Sequence, residues 1–235
     1  MKSERRKRMY NATQEEIKEA AWEQIAQDGA AALSLRGIAT QLGLTSPALY
    51  HYFPSRDALV NELVVDAFLS LAVTLETARD VLSPDKHIDR LLAVGAAYRE
   101  WAHTYPQRYV LIFDAPIPNY RPSLETIQPA ADRALSVLVH VVGQAWQASQ
   151  LRLPAYYQDL SPTLSTQLED WRQKAGLVYP VQVLYLAIIV WSRIHGIVSL
   201  ELRQQFPPIA DPDEIFQIES TALIQQIGMT GAGFG

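Results

Sequence analysis

Hydrophobic positions recur every three or four residues over most of the chain, the period of helices with one buried face. Ile17, Ala20, Ala21 and Ile25 share one side of a first helix. Ahead of them, Thr13-Gln14-Glu15-Glu16 has the spacing of a capping box, in which the Thr13 hydroxyl accepts an amide proton and Glu16 reaches back. The helix is therefore expected to begin at Thr13 and to end near Asp28-Gly29, where glycine supplies a left-handed stop. Ser34 is placed to cap a short second helix, Leu35–Leu42, which buries Leu35, Ile38, Ala39 and Leu42, and Gly43 ends it. A third short helix, Ser46–Phe53, carries Pro47 in its first turn, where a missing N–H costs nothing. Pro54-Ser55 breaks the pattern, and Ser55 with Asp57 opens a long fourth helix to about Arg79.

Beyond Ser83-Pro84 the helical segments lengthen, covering His87–His103 and Tyr105–Phe113. A proline-rich loop at Asp114–Pro122 precedes a long helix over about Leu124–Ser149. An irregular stretch holding Pro154 and Pro162 follows. Pro180 starts a helix that reaches about Phe206. Asp211-Pro212-Asp213-Glu214 is a strong start signal for a last helix with Ile215, Ile218, Ala222 and Leu223 inward. From Gly228 the chain reads as a frayed, glycine-rich tail, since Gly231-Ala232-Gly233 has neither the strand nor the helix of a phosphate loop around it. There is no alternating strand pattern and no internal repeat, so the fold class expected is all-α.

Composition narrows the function. With 235 residues, 49% hydrophobic, 19% charged and no cysteine, the chain is too apolar to be disordered. The missing cysteines exclude disulfides, thiolate catalysis, iron–sulfur clusters and Cys-based zinc sites. The longest apolar run, Val183–Trp191, is about half of a bilayer span, so no membrane helix is expected. Lys2-Ser3-Glu4-Arg5-Arg6-Lys7-Arg8 leads into charged helix rather than an apolar signal core, which makes a cytoplasmic address the expectation. A net charge of −5 argues against a polyanionic partner, but the charge is unevenly spread. Residues 1–60 hold eight Lys/Arg against seven Asp/Glu, and residues 61–235 hold twelve against eighteen. A polyanion would meet the N-terminal quarter.

The two short helices joined by Gly43-Leu44-Thr45 have the form of a helix-turn-helix, whose second helix enters the major groove of DNA while the first crosses the backbone. Leu49 and Phe53, four apart, point into the core and leave Ser46, Pro47, Ala48, Tyr50 and His51 toward the open side. Thr45 and Ser46 can donate to phosphate or base edges, Pro47 and Ala48 offer apolar contact to thymine methyls, and His51 can donate to an acceptor.

The run Ala39-Thr40-Gln41-Leu42-Gly43-Leu44-Thr45-Ser46-Pro47-Ala48-Leu49-Tyr50-His51-Tyr52-Phe53-Pro54-Ser55-Arg56-Asp57-Ala58-Leu59 resembles the DNA-binding domain of the tetracycline-repressor (TetR) family. The resemblance covers about Thr13 to Leu63 and rests on the pattern Leu-Tyr-x-x-Phe-x-x-basic-x-x-Leu. It implies that Ser34 and Arg36 touch phosphate or the groove edge, that Thr45, Ser46, Pro47, Ala48 and His51 face bases, and that Tyr50, Tyr52 and Arg56 clamp the backbone. The family usually has Lys where Arg56 stands, and a guanidinium binds phosphate as a planar fork. No Arg, Asn or Gln lies on the reading face, so bidentate base contacts worth about 1–3 kcal/mol each are missing and DNA shape and water are expected to contribute to specificity.

Trp191-Ser192-Arg193-Ile194-His195-Gly196-Ile197-Val198-Ser199-Leu200-Glu201-Leu202, with Tyr105-Pro106-Gln107-Arg108-Tyr109, is similar to the Trp-His-Gly type of TetR-family ligand-binding domain. The resemblance implies a helix-turn-helix domain over 1–60, a linking helix over 61–82, a helical effector-binding and dimerisation domain over 83–228, and a flexible tail over 229–235. It implies a homodimer paired through helices 180–206 and 213–227, bound to a palindromic operator in double-stranded DNA and released by a small hydrophobic effector. Pockets are lined by apolar and aromatic groups, and Trp101, Tyr109, Phe113, Trp146 and Trp191 are the residues expected to line this one. His195, beside Gly196, reads as a packed core histidine. No metal-ligand spacing, nucleophile elbow or phosphate loop is present, so neither cofactor nor metal nor catalysis is expected. The rival readings are a small-molecule enzyme or carrier that retains a structural helix-turn-helix, and an architectural DNA binder without an effector.

Overall fold

In a computed structural model the chain is described over residues 2–114, 117–208 and 210–230. Among these residues there are ten helices and no sheet, as the periodicity predicts. They are α1 (Lys2–Asp28), α2 (Leu35–Gln41), α3 (Ser46–Tyr52), α4 (Arg56–Asp80), α5 (His87–Thr104), α6 (Pro106–Phe113), α7 (Leu124–Gln147), α8 (Pro162–Lys174), α9 (Val181–Leu202) and α10 (Pro212–Gln226). The chain forms two compact units. The N-terminal unit takes residues 1–68 and 105–129, and the C-terminal unit takes residues 69–104 and 130–235. Helices α4 and α7 each contribute to both, changing unit after Phe68 and after Pro129.

The N-terminal unit packs α1 to α3, the start of α4 and α6 around Ile17, Ala21, Ile38, Leu49, Leu59 and Leu63, with Leu111 and Ile127 added from later in the chain. Its first helix departs from the sequence expectation. It starts at Lys2 rather than at Thr13, and the Thr13 hydroxyl donates to the Met9 carbonyl at 3.1 Å as an interior threonine does. Glu, Lys, Arg and Met are good helix formers, so the charged run continues the helix and the capping box is never used. The other end follows the sequence: Gly29 has φ 80, and its amide donates to Ile25 at 2.9 Å.

The C-terminal unit buries Trp101 from α5, Val139 and Val142 from α7, Leu184 and Leu186 from α9, and Ile224 from α10. Within the stretch read as irregular, Ser161 caps α8 by accepting from the Leu164 amide, and Pro162 sits in its first turn. The proline taken as a breaker is a starter. Helix α9 stops at Leu202, four residues before Phe206, and Gln204 follows with φ 54. On α10 the inward residues are Phe216, Ser220, Leu223 and Ile224, while Ile218 is 57% exposed and Ala222 is exposed. Both sides of α10 carry apolar residues, so periodicity alone does not choose between them. After it, Met229 is buried, and the Thr230 amide donates to Gln150 at 2.8 Å, so residues 229 and 230 are fixed. The remainder of the expected tail, 231–235, lies outside the described residues.

Helices α4 and α9 are, contrary to expectation, long and apolar enough to cross a membrane by length and composition. About half of each apolar window is buried inside the protein, which is what a core helix also shows.

Candidate functional site

Three local devices shape the helix-turn-helix. Ser34 caps α2, its hydroxyl accepting from the Gly37 amide at 3.3 Å while its own amide donates to Gln24 on α1 at 2.8 Å. Gly43, at φ 64, lets the Leu44 amide return to Ala39 at 2.8 Å and turns the chain sharply after α2. Thr45 then caps α3 by accepting from the Ala48 amide at 3.3 Å. The Thr45 oxygen is thus an N-cap acceptor, and its hydroxyl proton stays available to a DNA oxygen.

Helix α3 has an inner and an outer side. Leu49 and Phe53 are buried, whereas Thr45, Pro47, Tyr50 and His51 are exposed and Ser46, Ala48 and Tyr52 are half-buried. Ser34 and Arg36 are exposed at the start of α2. Between Asp28 and Asp57 the sequence contains no carboxylate, so the whole motif is free of negative side chains.

Arg56 is engaged inside the protein. Its guanidinium donates to the carbonyls of Ala30 (2.9 Å), Ala31 (3.1 Å), Leu33 (3.0 Å) and Pro118 (3.4 Å). Three of these acceptors belong to the short turn just ahead of α2. The second turn of α4 also receives the loop before α7: Asn61 accepts from the Tyr120 hydroxyl at 2.6 Å and from the Ser123 amide at 3.1 Å. Burial, with the Asp57 charge nearby, pushes the Tyr120 hydroxyl up to about 12. Residues 115 and 116 of the proline-rich loop lie outside the described residues.

One contact beside α3 is absent from the sequence reading. Tyr10 of α1 stacks on Tyr52 with ring centroids 4.7 Å apart and meets His51 edge-on at 5.9 Å. The available signal was spacing, because Tyr10 lies seven residues before Ile17 on the same side of the helix.

Two stretches of the chain match known families. Residues 17–63 match the family described as "Bacterial regulatory proteins, tetR family", and residues 91–223 match "Tetracyclin repressor-like, C-terminal domain". The HTH-type transcriptional regulator Rv1816 of Mycobacterium tuberculosis is 32% identical over 211 residues, covering 88% of this chain and 89% of that protein. The chain belongs to the TetR family of transcriptional regulators. As a TetR-family regulator it binds DNA. The crystal structure of SCO4313 superposes with a TM-score of 0.76 at 36% identity, covering 93% of this chain and 98% of that one. The ketosteroid transcriptional regulator KstR2 of Mycobacterium tuberculosis shares the fold, with a TM-score of 0.54 at 18% identity, covering 94% of this chain and 96% of that one.

The aromatic residues expected around an effector fall in both units of this TetR-family chain. In the N-terminal unit, Tyr109 is buried with its ring 5.3 Å from Phe113, which in turn meets Phe68 at 6.0 Å. In the C-terminal unit, Trp101 is buried and donates to the Ser70 hydroxyl at 3.1 Å. Trp191, half-buried, stacks on His195 at 5.1 Å, and Trp146 is half-buried on α7. His195 shares a 2.7 Å hydrogen bond with the Tyr98 hydroxyl through Nδ1, and burial holds its pKa below the usual histidine value. The same unit has a separate polar cleft of about 440 Å³ lined by Arg99, Glu100, His103, Glu201, Asp213 and Phe216. Its charges face one another, since Arg99 donates to both Glu201 and Asp213 and Glu201 also lies 3.0 Å from His103. That lining suits neither an apolar ligand nor a metal.

Proposed function

We propose that the protein is a cytoplasmic repressor that binds a palindromic operator as a homodimer and leaves it when a small hydrophobic effector binds. The observation that carries this reading is α3 itself: one side is buried through Leu49 and Phe53, and the other side offers Thr45, Pro47, Tyr50 and His51 with no carboxylate within the motif. In this reading Thr45, Ser46, Pro47, Ala48 and His51 face bases, Tyr50 and Tyr52 flank them on the backbone, and Ser34 and Arg36 meet phosphate from α2. Arg56 supports those contacts by holding the turn from which Ser34 emerges.

The dimer would form through α9 and α10, in keeping with exposed Leu200 and Ile218 on those helices. Two α3 helices would then enter successive major grooves, which makes the operator two-fold symmetric. Trp101, Tyr109, Phe113, Trp146 and Trp191 are the proposed effector contacts. The crystal structure of AibR, a fold neighbour at 16% identity, is a complex with isovaleryl coenzyme A and operator DNA, and the name of KstR2 refers to ketosteroids. Both support an acyl or otherwise hydrophobic ligand. Because α4 runs from the helix-turn-helix into the C-terminal unit, an effector that prefers one position of α4 would shift the spacing of the two α3 helices.

The test is selection of bound duplexes from a random pool at near-physiological salt. An enriched palindrome is the expected result, and no enrichment by folded, dimeric protein overturns the reading. Tyr50→Ala should then abolish binding to the selected sequence with unchanged helical content, since Tyr50 is 45% exposed and supports no core. An operator affinity that is unchanged by any saturating hydrophobic ligand of these classes removes the induction step.

A further inference from the structure

Helix α1 extends well beyond the core it helps to build. Among the described residues its first buried one is Ile17, so about four turns of helix precede its buried face. Arg5, Arg6, Lys7 and Arg8 lie in that extension and are all exposed, with Glu4 as the single acid among them. Among the described residues no ion pair or side-chain hydrogen bond engages any of the four cations. Lys18, on the same helix but beside the core, holds both Glu15 and Asp66 at 2.7 Å.

The extension is fixed to the helix-turn-helix at one point. Tyr10 stacks on Tyr52 with an interplanar angle of 29° and meets His51 edge-on, and His51 and Tyr52 lie 5.7 Å apart. Three rings thus join α1 to the last turn of α3. Arg6 and Lys7 stand one helical turn before Tyr10 on the same side of α1. Arg5 lies about 7.5 Å along the axis from Tyr10.

We propose that the first turns of α1 form a second DNA-binding element, a rigid basic arm. Arg6 and Lys7, on the Tyr10 side, neutralise backbone phosphates next to the bases faced by α3, Arg5 and Arg8 add positive charge around the same turns, and Tyr10 sets the register of the arm through its stack on Tyr52. The inference rests on the reading of the protein as an operator-binding regulator and adds to it a contact outside the helix-turn-helix. The physical case has two parts. Four cations without internal partners pay no penalty for leaving a carboxylate when they meet phosphate, and each phosphate contact releases condensed counterions. An arm already helical and pinned at Tyr10 also avoids the ordering cost that a flexible tail would meet.

The experiment uses the full chain with Arg5, Arg6, Lys7 and Arg8 all changed to Gln, and separately Tyr10→Ala and Tyr10→Phe. Duplex affinity is titrated at several salt concentrations for the selected operator and for a scrambled duplex. The four-Gln variant should bind both duplexes about tenfold or more weakly, with the slope of log affinity against log salt reduced by about 2–4 and the same palindrome enriched. Tyr10→Ala keeps every charge yet should lose part of the operator affinity, and Tyr10→Phe, which retains the stack, should recover it. Wild-type affinity and slope in the four-Gln variant overturn the arm. Binding to anionic phospholipid vesicles that the four-Gln variant loses, with duplex affinity unchanged, also overturns it by assigning the arm to a membrane. Salt-sensitive duplex binding that depends on the arm, without any enriched sequence, supports the arm while defeating the operator reading.

Discussion

In the C-terminal unit the guanidinium groups of Arg90, Arg99, Arg133 and Arg172 each face a carboxylate of that same unit. In the N-terminal unit Arg5, Arg6, Arg8 and Arg36 are exposed and meet none, Arg108 lies over the rings of Trp22 and Tyr105, and Arg56 is held by carbonyl oxygens. The difference shows two uses for the same side chain. A cation paired within its own unit fixes helix to helix and is neutral to the outside. A cation left without an acid keeps its full attraction for a polyanion, at the cost of mutual repulsion along α1. Net charge hides this, because the balance of −5 sums over both uses.

The largest expected effect comes from breaking a paired cation. Arg90 is 4% exposed and donates to the Arg79 carbonyl at 3.0 Å, to Gln144 at 2.8 Å and to Asp80 at 3.2 Å. Arg90→Met keeps much of the volume but takes the guanidinium from all three acceptors, leaving Gln144 without its donor while Asp80 keeps Arg79 and the Arg79 carbonyl keeps the Leu82 amide, which should cost about 3 kcal/mol. Urea unfolding should show a lower midpoint with an unchanged slope, while duplex affinity measured well below the transition stays at the wild-type value. A variant that melts normally would show that the pairing in the C-terminal unit is incidental.

Arg56 sharpens the comparison, because its charge could serve either use. Arg56→Lys keeps the charge but cannot reach four carbonyls as a planar fork does. The expected result is a loss of about 2 kcal/mol in stability, with duplex affinity at low temperature falling far less than in the four-Gln variant of the arm. If stability held and affinity collapsed, Arg56 would belong with the outward-facing cations.

The same contrast explains what could be read from the sequence. Caps and stops were legible at Ser34, Gly43, Ser55 and Asp211, because each device is written within four residues and needs no distant partner. Leu49 and Phe53 were legible as core for the same reason. Thr13 misled because a capping box is a local option that a longer run of helix formers overrides. Pro162 misled because a proline can open a helix as well as break one. Ile218 misled because α10 has apolar residues on two sides. The partners of Arg56 at residues 30–33 and 118, and the stack of Tyr10 on Tyr52, join positions 23 to 62 residues apart. Nothing in the local pattern states such pairings. The candidate site was thus visible as a list of exposed residues on α3, while the groups that hold it in place appeared only with the fold.

Histidines give the smallest expected effect and divide along the same line. The N-terminal unit has one, His51, exposed beside Tyr52. In the C-terminal unit His87 and His195 both have pKa values held below 6.5, first by burial and, for His87, also by the Arg90 charge, against a smaller opposing pull from Asp85. His195 shares its hydrogen bond with the Tyr98 hydroxyl and stacks on the Trp191 ring. A lowered folded-state value means that the unfolded chain takes up protons first as pH falls. The stability these histidines contribute is complete above about 6.5 and is lost as the pH drops below it. The carboxylates with lowered values, such as Glu76, Glu201 and Glu169 (down to about 2), make their loss only below about 4.5, so the two windows are separate. Thermal melts between pH 7.5 and 5.5 should therefore show a gentle decline, and His87→Gln with His195→Gln should flatten it. A stability that rises on acidification through this range would mean that the imidazoles of the C-terminal unit gain a partner when charged, and would align them with its paired arginines.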